Sequence, residues 1–189
     1  SDGTRNLLKW LGSRLSGTRL VYASTLACVD NPHSGREITE NTECHPRTDY
    51  GRTKLEAERV IRESRDRLGF DYTILRLCTV VGPGYRPTGM FGVLPPMLIR
   101  HALATRLNWP GRVSLIGVDD VVRILVSLPD FPNTQNEQFV TSNGENPSVD
   151  QVLAEMASIF GCRRDRLLLP LWLWRILGAF CCEMSKLAV

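Results

Sequence analysis

The sequence predicts an α/β chain built on a mostly parallel sheet. Three observations carry that class. Short apolar runs such as Leu20-Val21-Tyr22-Ala23 and Tyr72-Thr73-Ile74-Leu75-Arg76-Leu77 lack the strict alternation of a strand exposed on one face, as expected of strands buried on both faces. Longer stretches with apolar residues at helical spacing lie between and beside them, and strand–helix alternation on this scale means crossover units and parallel pairing. The 189 residues are 43% hydrophobic with 15 Gly and 11 Pro, a globular composition that excludes a disordered chain, a collagen-like repeat or a disulfide-only miniprotein.

The elements follow in order. Residues 4–15 carry Leu7, Leu8, Leu11 and Leu15 at helical spacing, with Gly17 as the stop. The apolar run 20–23 is a buried strand that ends in Ser24-Thr25. Residues 28–48, rich in Pro, Asn, Ser, Thr, Glu and His, read as a long surface loop. A helix is expected over 49–68, with Leu55, Ile61 and Leu68 on one side, Glu58–Arg62 and Glu63–Arg67 as i,i+4 pairs, and Gly69 as its cap.

The strand 72–77 runs into a Gly/Pro-rich loop over 82–89, then a helix over 93–105 whose start Pro95 and Pro96 disturb. Residues 113–118 form a strand. Asp119-Asp120 then open a helix through 128, with carboxylates at its positive end. Residues 138–141 are a further strand of the main sheet. Ser148 and Gln151 form a capping box for a helix holding Val152, Leu153, Met156, Ile159 and Phe160, ended by Gly161. The tail 167–182 is the most apolar stretch, yet Pro170 and Arg175 interrupt it, and it is shorter than the roughly 20 residues of a bilayer span. It reads as a packed helix, with an interfacial membrane helix as the alternative.

The net charge is +3, and the 20 Arg and three Lys are scattered among acids rather than gathered in a stripe. Nucleic acid is therefore not an expected partner. Arg163, Arg164 and Arg166 remain as a local candidate for an anionic partner. The six Cys form no C-x-x-C pair and the three His offer no ligand spacing. Reduced thiols in a cytoplasmic protein are expected, and no metal site.

Tyr50-Gly51-Arg52-Thr53-Lys54 places a phenol and an ammonium on one face of a helix start. An ordinary phenol, with a pKa near 10, is a poor proton shuttle at neutral pH. A neighbouring ammonium favours the phenolate, so the pair suits general acid/base work on a carbonyl–alcohol couple. On spacing alone, a solvent-facing Tyr on an amphipathic helix is an equal alternative. Ser24-Thr25 at the end of the first strand and the loop after Leu75-Arg76-Leu77 lie where parallel sheets bind ligands, and both point to the same crevice.

With these segments the chain resembles the extended short-chain dehydrogenase/reductase superfamily, in its NAD-dependent epimerase/dehydratase and 3β-hydroxysteroid dehydrogenase-like branch. The resemblance rests on Gly3 to Leu8, Ser24-Thr25, Pro46 to Glu56, Leu75-Arg76 with Gly82-Pro83-Gly84, Val118 to Val122 and Phe139 to Ser148. It implies a partial Rossmann-like, doubly wound sheet with a small substrate-binding extension. It implies Tyr50 as acid/base, Lys54 as the group that lowers its pKa and holds the nicotinamide ribose, and Thr25 as the residue orienting the substrate oxygen. Leu77, Cys78 and Thr79 would line the nicotinamide of NAD or NADP, with Ser24 nearby. The substrate would be a small molecule, a nucleotide-sugar or a steroid-like alcohol.

The chain departs from that pattern in informative ways. No G-x-G-x-x-G opens a helix after a first strand, and Gly82-Pro83-Gly84-Tyr85-Arg86-Pro87 has Pro at the third glycine. By resemblance the chain begins at the helix before the Ser/Thr strand, so residues 1–189 read as a single partial domain. Residues 1–80 and 137–160 would form the C-terminal half of the core, and 81–136 with 161–189 the extension. Leu26 and Ala27 replace the acidic pair of a dehydratase, which argues against 4,6-dehydration. Thr79 stands where many sugar-nucleotide epimerases carry Asn, and the Pro-Leu-Trp-Leu-Trp tail is similar to steroid-dehydrogenase-like members. The alternative function is a non-catalytic remnant serving as a protein- or membrane-interaction module. Peripheral membrane contact through the C-terminal segment and a homodimer are further candidate associations.

Overall fold

The computed structural model describes residues 2–29, 37–84 and 89–176. Part of the loop 82–89 and residues 177–182 of the expected apolar tail lie outside them. The chain divides into two compact units, Ser1–Pro83 with Leu115–Gly144 and Gly84–Ser114 with Glu145–Val189.

In the first unit, helix α1 (Asp2–Leu11) continues as a 3₁₀ turn to Leu15. Gly17, at φ +72°, then turns the chain into strand β1 (Arg19–Thr25). Helix α2 (Asp49–Leu68) is capped by the Thr48 hydroxyl, which accepts from the Gly51 amide at 3.0 Å, and ends at Gly69 in the left-handed region. Strand β2 (Asp71–Leu77) and the three-residue β3 (Thr79–Val81) follow. Strand β4 (Leu115–Gly117), helix α5 (Val118–Ser127) and strand β5 (Glu137–Thr141) complete the unit.

The main sheet has the order β1-β2-β5 with both pairings parallel, and β3 and β4 form a separate parallel pair. Leu8, Leu15, Val60, Ile61 and Phe70 form a buried cluster on which Leu20 and Tyr22 pack, so the even-numbered face of β1 looks toward α1 and α2. Leu7, expected among these core positions, is half exposed. Glu58 pairs with Arg62 as expected, whereas Glu63 is engaged by Arg59 at 2.7 Å instead of by Arg67.

The second unit holds helix α3 (Gly89–Ile99), helix α4 (Leu103–Arg106) and helix α6 (Val149–Ile159). The single helix expected over 93–105 is thus two. Helix α3 begins earlier and runs through Pro95 and Pro96, and His101, at φ +52°, closes it before α4 starts. Both hydrogen bonds of the Ser148/Gln151 capping box form at the start of α6. The division differs from the boundaries read from the sequence. Residues 115–136 fall in the first unit because β4 pairs with β3 and α5 packs on both, and 145–160 fall in the second, where α6 packs on α3. Among the described residues no helix is long and apolar enough to cross a membrane.

Candidate active site

Thr25, Leu77 and Thr141 are register partners across β1, β2 and β5, so they stand level at the carboxyl ends of three parallel strands. This is the end at which such sheets place ligands. The Thr25 hydroxyl accepts from the Ala27 amide at 3.2 Å and opens a 3₁₀ turn over Leu26–Cys28. That turn meets the start of α2 at Gly51. A Cβ there would overlap the Ala27 carbonyl and stand 3.1 Å from Pro46 Cβ, so only glycine allows this approach. The first turn of α2 is thereby held against the end of β1, and Tyr50 and Lys54 come with it.

Tyr50 is 58% exposed. Lys54 is half-buried, and its Nζ donates to the Ala23 carbonyl of β1 at 2.9 Å while standing 5.0 Å from the centre of the Tyr22 ring. Burial pushes the Tyr22 phenol above its ordinary pKa, and the negative ends of Cys28, Glu58 and Tyr50 add to the shift. Tyr22 is therefore a neutral support for the ammonium, and Tyr50 presents its phenol to solvent.

Ser24 is turned the other way. It is buried, and its hydroxyl lies 2.5 Å from Glu58 Oε1 in α2. Arg76 of β2 donates to the same carboxylate through Nε at 3.1 Å and Nη2 at 2.8 Å. Arg62 adds Nη2 at 3.2 Å and also donates to Gln138 of β5 at 2.5 Å. Burial opposes ionisation of Glu58, but the hydrogen bonds from Arg76 and Ser24 and the charges of Arg76 and Arg62 outweigh it and hold the carboxyl below the ordinary glutamate range. The network joins α2 to all three strands of the main sheet. Sequence reading missed Glu58 in this role, because on α2 it stood out only as the i,i+4 partner of Arg62.

Of the three residues expected along the nicotinamide, Leu77 is half-buried at the strand end, Thr79 is exposed in β3, and Cys78 is turned inward against Ile116 and Val121. Burial raises the Cys78 thiol above its ordinary pKa. The available donors and acceptors are the Tyr50 hydroxyl and the Lys54 ammonium, while the Cys78 amide already donates to the Thr141 carbonyl at 3.4 Å. The hydroxyl and the ammonium suit the ribose and nicotinamide end of a dinucleotide. Gly82-Pro83-Gly84 follows β3 as a bend and turn, with Gly82 set against Val118. Among the described residues no glycine-rich turn leads from a strand into a helix to receive the pyrophosphate.

A parallel sheet whose first strand ends in Ser-Thr, with a Tyr-x-x-x-Lys helix held against that end, defines a chain of the short-chain dehydrogenase/reductase class. Residues 1–140 match the model of the NAD dependent epimerase/dehydratase family, and the chain belongs to that family. It is 25% identical over 134 residues to a UDP-glucose 4-epimerase of Vibrio cholerae, an alignment covering 70% of this chain and 40% of that protein. Among solved structures it is similar in fold to UDP-glucuronic acid 4-epimerase from Bacillus cereus in complex with NAD, with a TM-score of 0.74 and 21% identity over 88% of this chain and 54% of that one. It is also similar in fold to RMD from Pseudomonas aeruginosa complexed with NADPH, with a TM-score of 0.72 and 21% identity over 88% and 58% of the two chains. The chain thus spans between two fifths and three fifths of these three proteins.

Proposed function

We propose that this chain carries the proton-transfer and substrate side of an NAD(P)-dependent oxidoreductase or epimerase that acts on an alcohol or ketone carbon of a nucleotide-sugar. The observation that supports it best is the Gly51–Ala27 approach, which holds the first turn of α2 against the turn that follows β1. NAD or NADP, when bound, supplies hydride exchange at the substrate carbon. Tyr50 exchanges the proton of the substrate oxygen. Thr25 uses its oxygen to accept from Ala27, so its O–H is left to donate to that same oxygen. Lys54 spends one N–H on Ala23 and keeps two for ribose hydroxyls.

The kinship with nucleotide-sugar epimerases favours that substrate over a steroid-like one. In this reading the pyrophosphate site lies outside the described residues. The free thiols of Cys28, Cys44, Cys78 and Cys162 accord with a reducing, cytoplasmic setting. The test is nicotinamide fluorescence with NADH, on residues 1–189 and on the chain extended at its N-terminus. The extended protein is expected to bind and turn over, and Tyr50→Phe to keep binding but lose about 10²- to 10⁴-fold in turnover. Turnover that survives Tyr50→Phe overturns the reading.

A second reading, a non-catalytic module for a protein or membrane surface, draws on the exposed Leu168, Leu171, Trp172 and Ile176 of the second unit. Failure of both proteins to bind NADH, together with retention of the chain on lipid vesicles, would favour it.

A further inference from the structure

The cluster Arg163, Arg164 and Arg166 has no part in the proposed reaction. Arg164 is fully committed: its nearly buried side chain donates to the carbonyls of Thr105 at 2.6 Å and Leu107 at 2.9 Å and to Asp150 Oδ1 at 2.6 Å. Arg166 takes Asp150 Oδ2 at 2.5 Å. These bonds pin the segment after α6 onto α4 and frame a cavity of about 130 Å³, lined in part by His101, Arg106, Arg163, Arg164 and Asp165.

The two remaining guanidinium groups are held from behind. Arg106 donates through Nε to the Asp165 carbonyl at 3.3 Å, and Arg163 through Nε to Asp165 Oδ1 at 3.0 Å. Among the described residues neither has a partner for its Nη groups. Four guanidinium groups here face two carboxylates, those of Asp150 and Asp165, so two positive charges are in excess. His101 holds a left-handed backbone, φ +52°, at a helix end where glycine is the usual residue. His101 lines the same cavity.

We propose that this cavity binds a phosphate-type oxyanion between the Nη groups of Arg106 and Arg163. Two guanidinium forks match the oxygens of a tetrahedral dianion. The cavity has room for such an ion, and the ligand is inorganic phosphate or the terminal phosphate of a phosphomonoester. The site lies within the second unit and does not depend on the function proposed above.

The test titrates the full chain with inorganic phosphate, with ribose 5-phosphate and with chloride at constant ionic strength, following the arginine Nε–Hε resonances by NMR. Saturable shifts at Arg106 and Arg163 with phosphate, and none with chloride, are expected. Tighter binding of ribose 5-phosphate identifies a monoester as the ligand, and equal or weaker binding identifies the free ion; either supports the site. Arg163→Gln, at a side chain 87% exposed and so safe for folding, should weaken binding about tenfold, with Arg163→Lys between it and the parent. Lys54→Met should leave it unchanged, which separates this site from the crevice at β1. Absence of saturation beyond chloride, or binding indifferent to Arg163→Gln and Arg106→Gln together, overturns the proposal.

Discussion

The Ser24 hydroxyl lies 2.5 Å from Oε1 of the fully buried Glu58, which joins the carboxyl end of β1 to the middle of α2 through a charged group in the interior. Strand and helix therefore share one electrostatic anchor, and the geometry of the Tyr50–Lys54 turn is tied to it.

Glu58→Gln should be strongly destabilising, because it leaves Arg76, only 3% exposed, without its counter-charge. Removal of one partner of a buried pair typically costs about 3–5 kcal/mol. The native carboxyl is held below the ordinary glutamate range, so its contribution is present above that range and is lost as pH falls through the lowered folded value. Urea unfolding from pH 7 downward should show parent stability falling in acid, with the Gln variant lower at neutrality and flatter across that window.

Ser24 and Thr25 should separate stability from chemistry. Ser24→Ala removes one hydrogen bond to a buried carboxylate and is expected to lower stability by about 1.5–3 kcal/mol. Thr25→Val keeps the shape, and its stability loss should be smaller, but it lacks the O–H that would orient the substrate oxygen. Thermal unfolding of both variants, with turnover of the N-terminally extended protein, checks the pattern; turnover unaffected in Thr25→Val would count against its role.

Gly51→Ala places a methyl on the Ala27 carbonyl. Backbone on both sides must move, and overpacking of this kind typically costs about 1–3 kcal/mol. The N-terminal turn of α2 should shift away from β1, so NADH binding by the extended chain should weaken along with stability. A variant as stable as the parent would show that the close approach is dispensable.

Tyr22 should ionise at higher pH than a free tyrosine, since burial and nearby negative groups raise it. A raised folded pKa stabilises below the unfolded value, about 10, and that contribution fades as pH climbs through the folded one. Difference absorbance of the phenolate band, comparing the parent with Tyr22→Phe, isolates this late titration. Tyr22→Leu also removes the ring under Lys54, a contact worth about 0.5–1 kcal/mol.

Much of this was legible from residue order alone. Helix α2 begins and ends where Asp49 and Gly69 indicate, and the Ser148/Gln151 box forms both of its bonds, since caps depend on residues a few positions apart. The Tyr50–Lys54 spacing and the Ser24-Thr25 strand end were also readable locally. Strand β3 was not: three residues have no periodicity, and Thr79–Val81 is a strand only because Leu115–Gly117 lies beside it. The break between α3 and α4 turns on His101 adopting a conformation that local pattern assigns to glycine.

Local spacing, caps and apolar runs thus determined the α/β class, the parallel strands and the residues offering a phenol, an ammonium and a hydroxyl, because those signals need only neighbours in the chain. Tertiary structure alone decided that Ser24 turns from the crevice into a buried network while Thr25 stays at the strand end. It also decided that Glu58, on a helix rich in surface ion pairs, becomes an interior counter-ion to Arg76. The physical reason is that a buried charge is tolerable only where its partners converge, and those partners come from β1, α2 and β2, segments brought together by folding and by nothing in their order.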